Sequence, residues 1–336
     1  MQGYRGSQPT IYDVAALSGV SISTVSRVLN SPERVSDDAR HKVITAIDQL
    51  GFVPKAEARA RALQNSPRIG VLTPFFTAPS FVQRLRGISS ALVETNHELI
   101  IYTIDSLPRL QGHLTNLPIK GNLEGLIVMS LPIDNSSALR LVQYGPYTVS
   151  IEYRQNHFDS IEIDNYLGGK MAASYLISKG HRRCAFIGDI TPPDYSIHPA
   201  TQRLKGFRQS IHKAGFAIPE DYICSSPIGY EKTRQVVFEL LKLPLPPTAI
   251  FAAADIQAIV ALKVARQLGL HVPGDLAIIG FDDLDMADYV GLTTIRQPLD
   301  ESGRIAVKLL LAKFSDPDRP SQHIQLPLII VERETV

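Results

Sequence analysis

The chain has 336 residues, 44 % of them hydrophobic and 20 % charged, and a formal net charge of +1. That length accommodates two to three domains and a large buried core, which excludes both a disordered chain and a disulfide-stapled miniprotein. Its two cysteines, Cys184 and Cys224, cannot build a disulfide framework or a four-ligand zinc site, and read as small buried residues of a reducing cytoplasm. No apolar run approaches the roughly 18 residues needed to span a bilayer. Residues 1–9 lack the apolar core of a secretory signal. A soluble cytoplasmic protein without a membrane partner is expected. Residues 1–66 hold 8 Lys+Arg against 6 Asp+Glu, and the rest 26 against 27, so a weakly basic head precedes a neutral body.

The first predicted element is a short helix over Thr10–Leu17, with Thr10 as N-cap and Ile11, Val14, Ala15 and Leu17 as its apolar face. Gly19 supplies a tight turn. Ser21 then caps a second helix, Ile22–Asn30, whose inward face is Val25, Val28 and Leu29. A small residue, a glycine four positions on and an apolar residue six beyond that is the packing rule of a helix-turn-helix. A third helix begins at Ser36-Asp37-Asp38, with a hydroxyl cap and acids at its positive end, and runs through Val43 and Ile47 to Leu50. The outward face of the second helix carries Ile22, Ser23, Ser26, Arg27 and Asn30. Thr10, Tyr12, Ser21 and Thr24 complete the set expected to face DNA. Such a helix fits the major groove, where arginine makes two bonds to guanine and isoleucine offers only apolar contact, for instance to a thymine methyl.

Gln64-Asn65-Ser66-Pro67 is the expected linker. Beyond it, apolar runs (Ile69–Leu72, Glu98–Ile104, Gly125–Met129, Thr148–Ile151, Arg183–Ile187, Ala249–Ala252, Leu276–Gly280) alternate with helical stretches such as Phe81–Thr95, Leu167–Lys179, Arg203–Ala214 and Ile256–Leu268. This alternation predicts doubly wound parallel sheets, and the region is long enough for two. No internal repeat is evident. Wound sheets bind ligands outside the carboxyl ends of their strands, which selects Thr73–Phe76, Met129-Ser130, Glu152-Tyr153, Ala254-Asp255 and Phe281-Asp282. From these ends and the helix beyond the first, Phe75, Phe76, Phe81, Met129, Glu152, Asp255, Phe281 and Asp282 are the candidate effector residues. Carboxylates and rings at several strand ends suit a polyhydroxylated ligand.

The run from Thr10-Ile11-Tyr12-Asp13-Val14-Ala15 through Gly19-Val20-Ser21 to Thr24-Val25-Ser26-Arg27-Val28-Leu29-Asn30 resembles the opening of lactose-repressor-type (LacI/GalR) regulators. The likeness continues through Asp164-Asn165, Gly180-His181-Arg182-Arg183, Gly280-Phe281-Asp282-Asp283, Leu292-Thr293-Thr294-Ile295 and Val331-Glu332-Arg333-Glu334. It implies a helix-turn-helix head with a hinge helix over residues 8–63, followed by an effector-binding and dimerisation domain over 67–336. The latter divides into one α/β subdomain of about 67–165 plus 298–322 and another of about 166–297 plus 323–336, in the manner of periplasmic binding proteins. By the same resemblance Arg203 holds the hydroxyls of an effector, with Asp282 its acidic partner across the cleft. Ala254 replaces the usual Asn before Asp255, and Glu152 a shorter Asp, so no specific sugar is assigned.

The implied function is a repressor, acting as a homodimer on a near-palindromic operator under control of a small polar effector, with no cofactor. Activation, or a nucleoside in place of a sugar, stays open. An enzyme is the rival class, but Val71–Phe76 carries no G-x-G-x-x-G, His97-Glu98 lacks the second His of a zinc protease, and no nucleophile elbow occurs. A transport sugar-binding protein would not carry the head. In the hinge, family members have Asn after the Pro and a Leu seven residues beyond it, whereas here Lys55 and Arg61 stand there. The expectation is a hinge that orders on DNA with little kinking, with Arg59 and Arg61 on phosphates or in the minor groove.

Overall fold

The computed structural model describes residues 9–30, 34–50, 52, 67–120 and 123–336, and the chain divides between Ser66 and Pro67 into two units. The first unit contains α1 (Ile11–Ser18), α2 (Ile22–Asn30) and α3 (Asp37–Leu50). Asp13 reaches back to the start of α1, accepting from both the N–H and the hydroxyl of Thr10 at 2.7 Å, so the first turn is capped. Gly19 ends α1 at φ 70°, where its N–H bonds the carbonyl of Ala15, a conformation that favours glycine. Val14, Ala15, Val25, Val28, Val43, Ala46 and Phe52 form the core. Leu17 is half exposed instead of buried, because it lies about 200° round the helix from Ala15. The expected hinge, with Lys55, Arg59 and Arg61, lies outside the described residues.

The second unit begins with β1 (Arg68–Thr73), α4 (Pro79–Leu92), β2 (Glu98–Thr103), α5 (Leu107–Lys120), β3 (Gly125–Met129), α6 (Asn135–Tyr144), β4 (Tyr147–Ile151) and β5 (Asp159–Ile163). The chain then crosses into α7 (Asn165–Ser178), β6 (Cys184–Gly188), α8 (Pro199–Lys213), β7 (Ile223–Ser225), α9 (Tyr230–Leu241), β8 (Ala249–Ala252), α10 (Asp255–Gln267), β9 (Ala277–Asp282), α11 (Asp285–Tyr289) and β10 (Thr293–Arg296). It returns through α12 (Leu299–Ser315) and β11 (His323–Leu326), and ends with β12 (Ile329–Val331). The sheets have the orders β11-β5-β4-β3-β1-β2 and β12-β10-β9-β8-β6-β7. Among the described strands only β12 runs antiparallel to its neighbour. Since β11 pairs with β5, the final crossing falls after Leu326, a few residues beyond the expected 322. Helices on both faces bury apolar strands such as β3 and β9 entirely, which is why those strands read as unbroken apolar runs.

Strand for strand the two orders are the same, so the body is built twice although no repeat stands out along the sequence. One trace of the repeat can be read in the sequence. Arg84-Leu85-Arg86-Gly87 lies on α4 and Arg203-Leu204-Lys205-Gly206 on α8, and these helices follow the equivalent strands β1 and β6. Each glycine is where its helix meets another at backbone distance. A Cβ on Gly206 would lie 1.9 Å from the carbonyl oxygen of Tyr166 on α7, and one on Gly169 of α7 would lie 1.8 Å from that of Arg203. In the first half the equivalent distances are 2.0 Å from Gly87 to the Asp300 oxygen and 2.3 Å from Gly303 to the Arg84 oxygen. No side chain fits there, and the contacted atoms are backbone that cannot rotate away. Replacing Gly by Ala inside an unobstructed helix stabilises it by about 0.5–1 kcal/mol. Here the sign reverses: Gly206→Ala should destabilise by about 1–3 kcal/mol through overpacking. A lower melting temperature in thermal unfolding is the expected result.

Candidate functional site

On the head, Ser21 opens α2, its Oγ accepting the N–H of Thr24 at 3.2 Å and lying 2.8 Å from the Ser23 hydroxyl and 2.9 Å from that of Thr24. Thr10 is engaged with Asp13, as above. Tyr12 is 67 % exposed and Ile22 43 %, large apolar surfaces on one small unit. Ser23 and Arg27 are exposed beside them, and Ser26 is partly buried. Arg27 thus projects from the helix face opposite Val25 and Val28. The side chain of Asn30 lies outside the described residues.

In the body, the carboxyl ends of the two sheets face one another across a cavity of about 110 Å³. Five residues at these ends have left-handed backbones: Phe75 (φ 45°), Ser130 (55°), Glu152 (68°), Asp282 (127°) and Asp283 (59°). Such conformations cost of order 1–3 kcal/mol each and persist where surrounding structure holds them. Four of the five line the cavity. Arg84, 3 % exposed, donates through Nη2 to Glu152 Oε1 at 2.5 Å and to Gln297 Oε1 at 3.0 Å. Ser130 donates its hydroxyl to the other oxygen of Glu152. Gln297 donates onward to Asp282 Oδ1 at 2.5 Å, so a polar chain runs from the first half to the second. Arg203 is held from behind by Asn165 Oδ1 at 2.9 Å and the Ala253 carbonyl at 2.5 Å, and its guanidinium lies 3.5 Å above the centre of the Phe281 ring.

The structure brings Phe75, Phe81, Glu152, Arg203 and Asp282 to the cavity wall and leaves four other expected residues off it. Met129 is wholly buried in the core below, because the strand's last side chain points into the sheet packing and the next residue, Ser130, turns into the cleft. Phe281 is core, acting as the platform under Arg203. Asp255 is also buried; it accepts from the Leu284 N–H at 2.8 Å and the Thr294 hydroxyl at 2.5 Å, and so fixes the loop behind Asp282. Phe76 is exposed beside the cavity. Sequence reasoning missed Arg84, Asp189 and Gln297, and of the strand-end pair Met129-Ser130 it carried forward Met129 instead of Ser130. Arg84 was detectable, since its R-L-R-G repeats the R-L-K-G around Arg203.

Residues 10–55 match the family described as "Bacterial regulatory proteins, lacI family", and residues 173–336 match a "Periplasmic binding protein-like domain". The ribose operon repressor of Escherichia coli K12 is 33 % identical over 329 residues, spanning 96 % of this chain and 98 % of the relative. The chain belongs to the lacI family. A crystal structure of the lac repressor dimer bound to operator and the anti-inducer ONPF is 25 % identical, with a TM-score of 0.76, covering 98 % of this chain and 99 % of that one. A lacI-family regulator from Enterococcus faecium with bound ribose is 28 % identical, with a TM-score of 0.69, covering 80 % of this chain and 98 % of that one.

In this lacI-family cleft the carboxylates are not alike. Burial drives Asp255 up to about 7, helped by the charge of Asp282. Burial also raises Asp282, to about 6, against the pull of Arg203. For Glu152 burial acts upward too, but Arg84 and Ser130 outweigh it and hold the carboxyl below its ordinary value. Glu152 is therefore the fixed anion, while Asp255 and Asp282 hold protons that the unfolded chain has lost above about pH 4. At these two carboxyls the native state binds more protons than the unfolded chain between about pH 4 and 7. Their contribution to stability therefore falls as pH rises through that window, against the opposite contribution of His181, which burial lowers. Melting curves from pH 5 to 7.5 should show this decline, and Asp255→Asn should flatten it. A slope unaffected by that substitution would place the protons elsewhere.

Proposed function

We propose that this protein is an effector-controlled transcriptional repressor, not an enzyme, acting in the cytoplasm as a homodimer on a near-palindromic operator. The observation that carries the reading is one chain holding both an exposed Ile22/Ser23/Arg27 helix face and a buried polar cleft between duplicated sheets. The family membership and the repressor relatives support it. Among the described residues no helix is long and apolar enough to cross a membrane.

In this reading α2 lies in the major groove and Arg27 takes a guanine edge, with Ser23 and Ile22 setting neighbouring preferences. Tyr12, Ser21, Thr24, Ser26 and Asn30 position the head, and Arg59 and Arg61 reach phosphates or the minor groove. The effector is a compact polyhydroxylated molecule held between Arg203 and Asp282, with Phe75 and Phe81 against its apolar face. The relative named for the ribose operon and the ribose-bound neighbour make a pentose the first compound to try. Effector binding favours one arrangement of the two halves of the body, and the operator another, which couples the sites.

Two tests follow. A duplex selected from a randomised pool defines the operator; Arg27→Ala should then weaken binding to it at fixed salt by about 1–3 kcal/mol while leaving the melting temperature unchanged. Unchanged affinity would remove Arg27 from the base-reading set. Separately, pentoses, hexoses and nucleosides should be screened for a rise in melting temperature. Arg203→Ala and Asp282→Ala should each abolish that rise yet keep operator binding. If both variants still respond at wild-type concentrations, the effector binds elsewhere.

A further inference from the structure

Resting on the effector reading above, we propose that Arg84 is a specificity-determining residue that reads an acceptor oxygen of the effector from the first half of the body, as Arg203 does from the second. The argument starts from the duplication. β1 and β6 hold the same place in their sheets, α4 and α8 follow them, and each helix carries Arg-Leu-basic-Gly with its glycine pressed on the crossing helix. The two arginines therefore leave equivalent positions and arrive at equivalent strand ends. A carboxylate waits at each: Glu152 follows β4, Asp282 ends β9, and these strands occupy matching places in the two sheets.

The donors of Arg84 point the same way. A guanidinium offers five N–H groups. On Arg84 a single nitrogen, Nη2, serves both Glu152 and Gln297, while Nε is buried with no acceptor. Buried donors without acceptors are rare and costly. This one belongs to a side chain that is 3 % exposed and lines the cavity. The charge of Arg84 is already matched by Glu152, so an added anion would be repelled by that carboxylate. A neutral hydroxyl or ring oxygen that reaches Nε as the neighbouring side chains shift would not displace Glu152. The residue thus selects an uncharged polyol by the position of one of its oxygens.

The test uses the full-length protein and named probes: ribose, xylose, glucose and galactose, their monodeoxy analogues, and ribose 5-phosphate. Affinities are measured by calorimetry for the sugar that raises the wild-type melting temperature most. Arg84→Lys keeps a cation beside Glu152 but removes Nε and the planar fork. The paired change Arg84→Met with Glu152→Gln removes both charges together and, compared with Glu152→Gln alone so that only the loss of Arg84 is read, serves if the lysine variant does not fold. In either, affinity should fall about tenfold or more. One deoxy analogue should bind the wild type more weakly than its parent but bind the variant as well as its parent does, with the other deoxy penalties kept. A merely structural role would not move that pattern. Unchanged affinity and unchanged deoxy penalties, with binding lost in Arg203→Ala, would overturn the role of Arg84 and leave the cleft reading standing. Ribose 5-phosphate binding more tightly than ribose would overturn the choice of a neutral acceptor. If no sugar shifts the wild type, or binding survives Arg203→Ala, the cleft reading itself fails.

Discussion

The body depends on two places where helices touch backbone to backbone. At ordinary interaxial distances of 8–10 Å, side chains separate packed helices. Where α7 crosses α8 and α4 crosses α12, glycines remove that spacer, and the carbonyls of Tyr166, Arg203, Arg84 and Asp300 fill the space a Cβ would take. The consequence is positional. The oxygens of Arg84 and Arg203 are themselves the contacted atoms, so each arginine is fixed at its root by the crossing. A side chain with four rotatable bonds gains an accurate aim only from a fixed origin, and both aim at the same cleft.

The strained strand ends are the second layer of that arrangement. Left-handed backbone at Ser130, Glu152 and Asp282 turns side chains outward that a continuing strand would bury in its sheet. The apolar strands beneath supply the rigidity that holds the strain, with β3, β8 and β9 wholly buried. The polar groups are then tied to one another: Ser130 and Arg84 on Glu152, Gln297 between Arg84 and Asp282. Removing one member would leave a buried charge uncompensated, which is commonly worse than replacing a whole pair by apolar groups.

Much of this was legible in the sequence, for reasons that differ by residue. The head could be read because its core is local: Ala15, Gly19 and Val25 meet within a span of eleven residues. Buried strands such as Gly125–Met129 could be read because burial on both faces leaves only apolar choices. The short or half-exposed strands β5, β7, β10, β11 and β12 carry no such run, and they were not expected. At the cleft, being next to a strand end fixed the neighbourhood but not the direction of each side chain. Met129 and Ser130 were equally eligible by position, and the backbone turn at Ser130 decided between them. Arg84 and Gln297 are not next to a strand end in the first half, and only the R-L-R-G around Arg84 hints at one of them. Their partners lie 68 and 15 residues away, and only the duplicated fold makes an arginine on α4 the counterpart of one on α8.

The threads that cross the cleft differ in strength. On the outer surface Arg86 of α4 bridges Asp285 at 2.7 Å and Asp300 at 2.8 Å, but Arg86 and Asp285 are each more than half exposed. Water and salt screen such a pair to about 0–1 kcal/mol. Within the cleft the N–H of Ile197 donates to the carbonyl of Ser130 at 3.2 Å, and Tyr195 lies 6.2 Å from Phe75 between ring centroids. The loop carrying Ile197 belongs to the second half, and Ser130 and Phe75 to the first. Ser130 and Gln297 are buried, so the Ile197–Ser130 bond and the Gln297 relay are screened by water less than the surface clasp is. The Ile197, Tyr195 and Gln297 contacts all end on residues that also line the cavity. The groups that hold the halves together are thus part of the cavity wall itself, and a shift between two arrangements requires differential contact at groups of that kind.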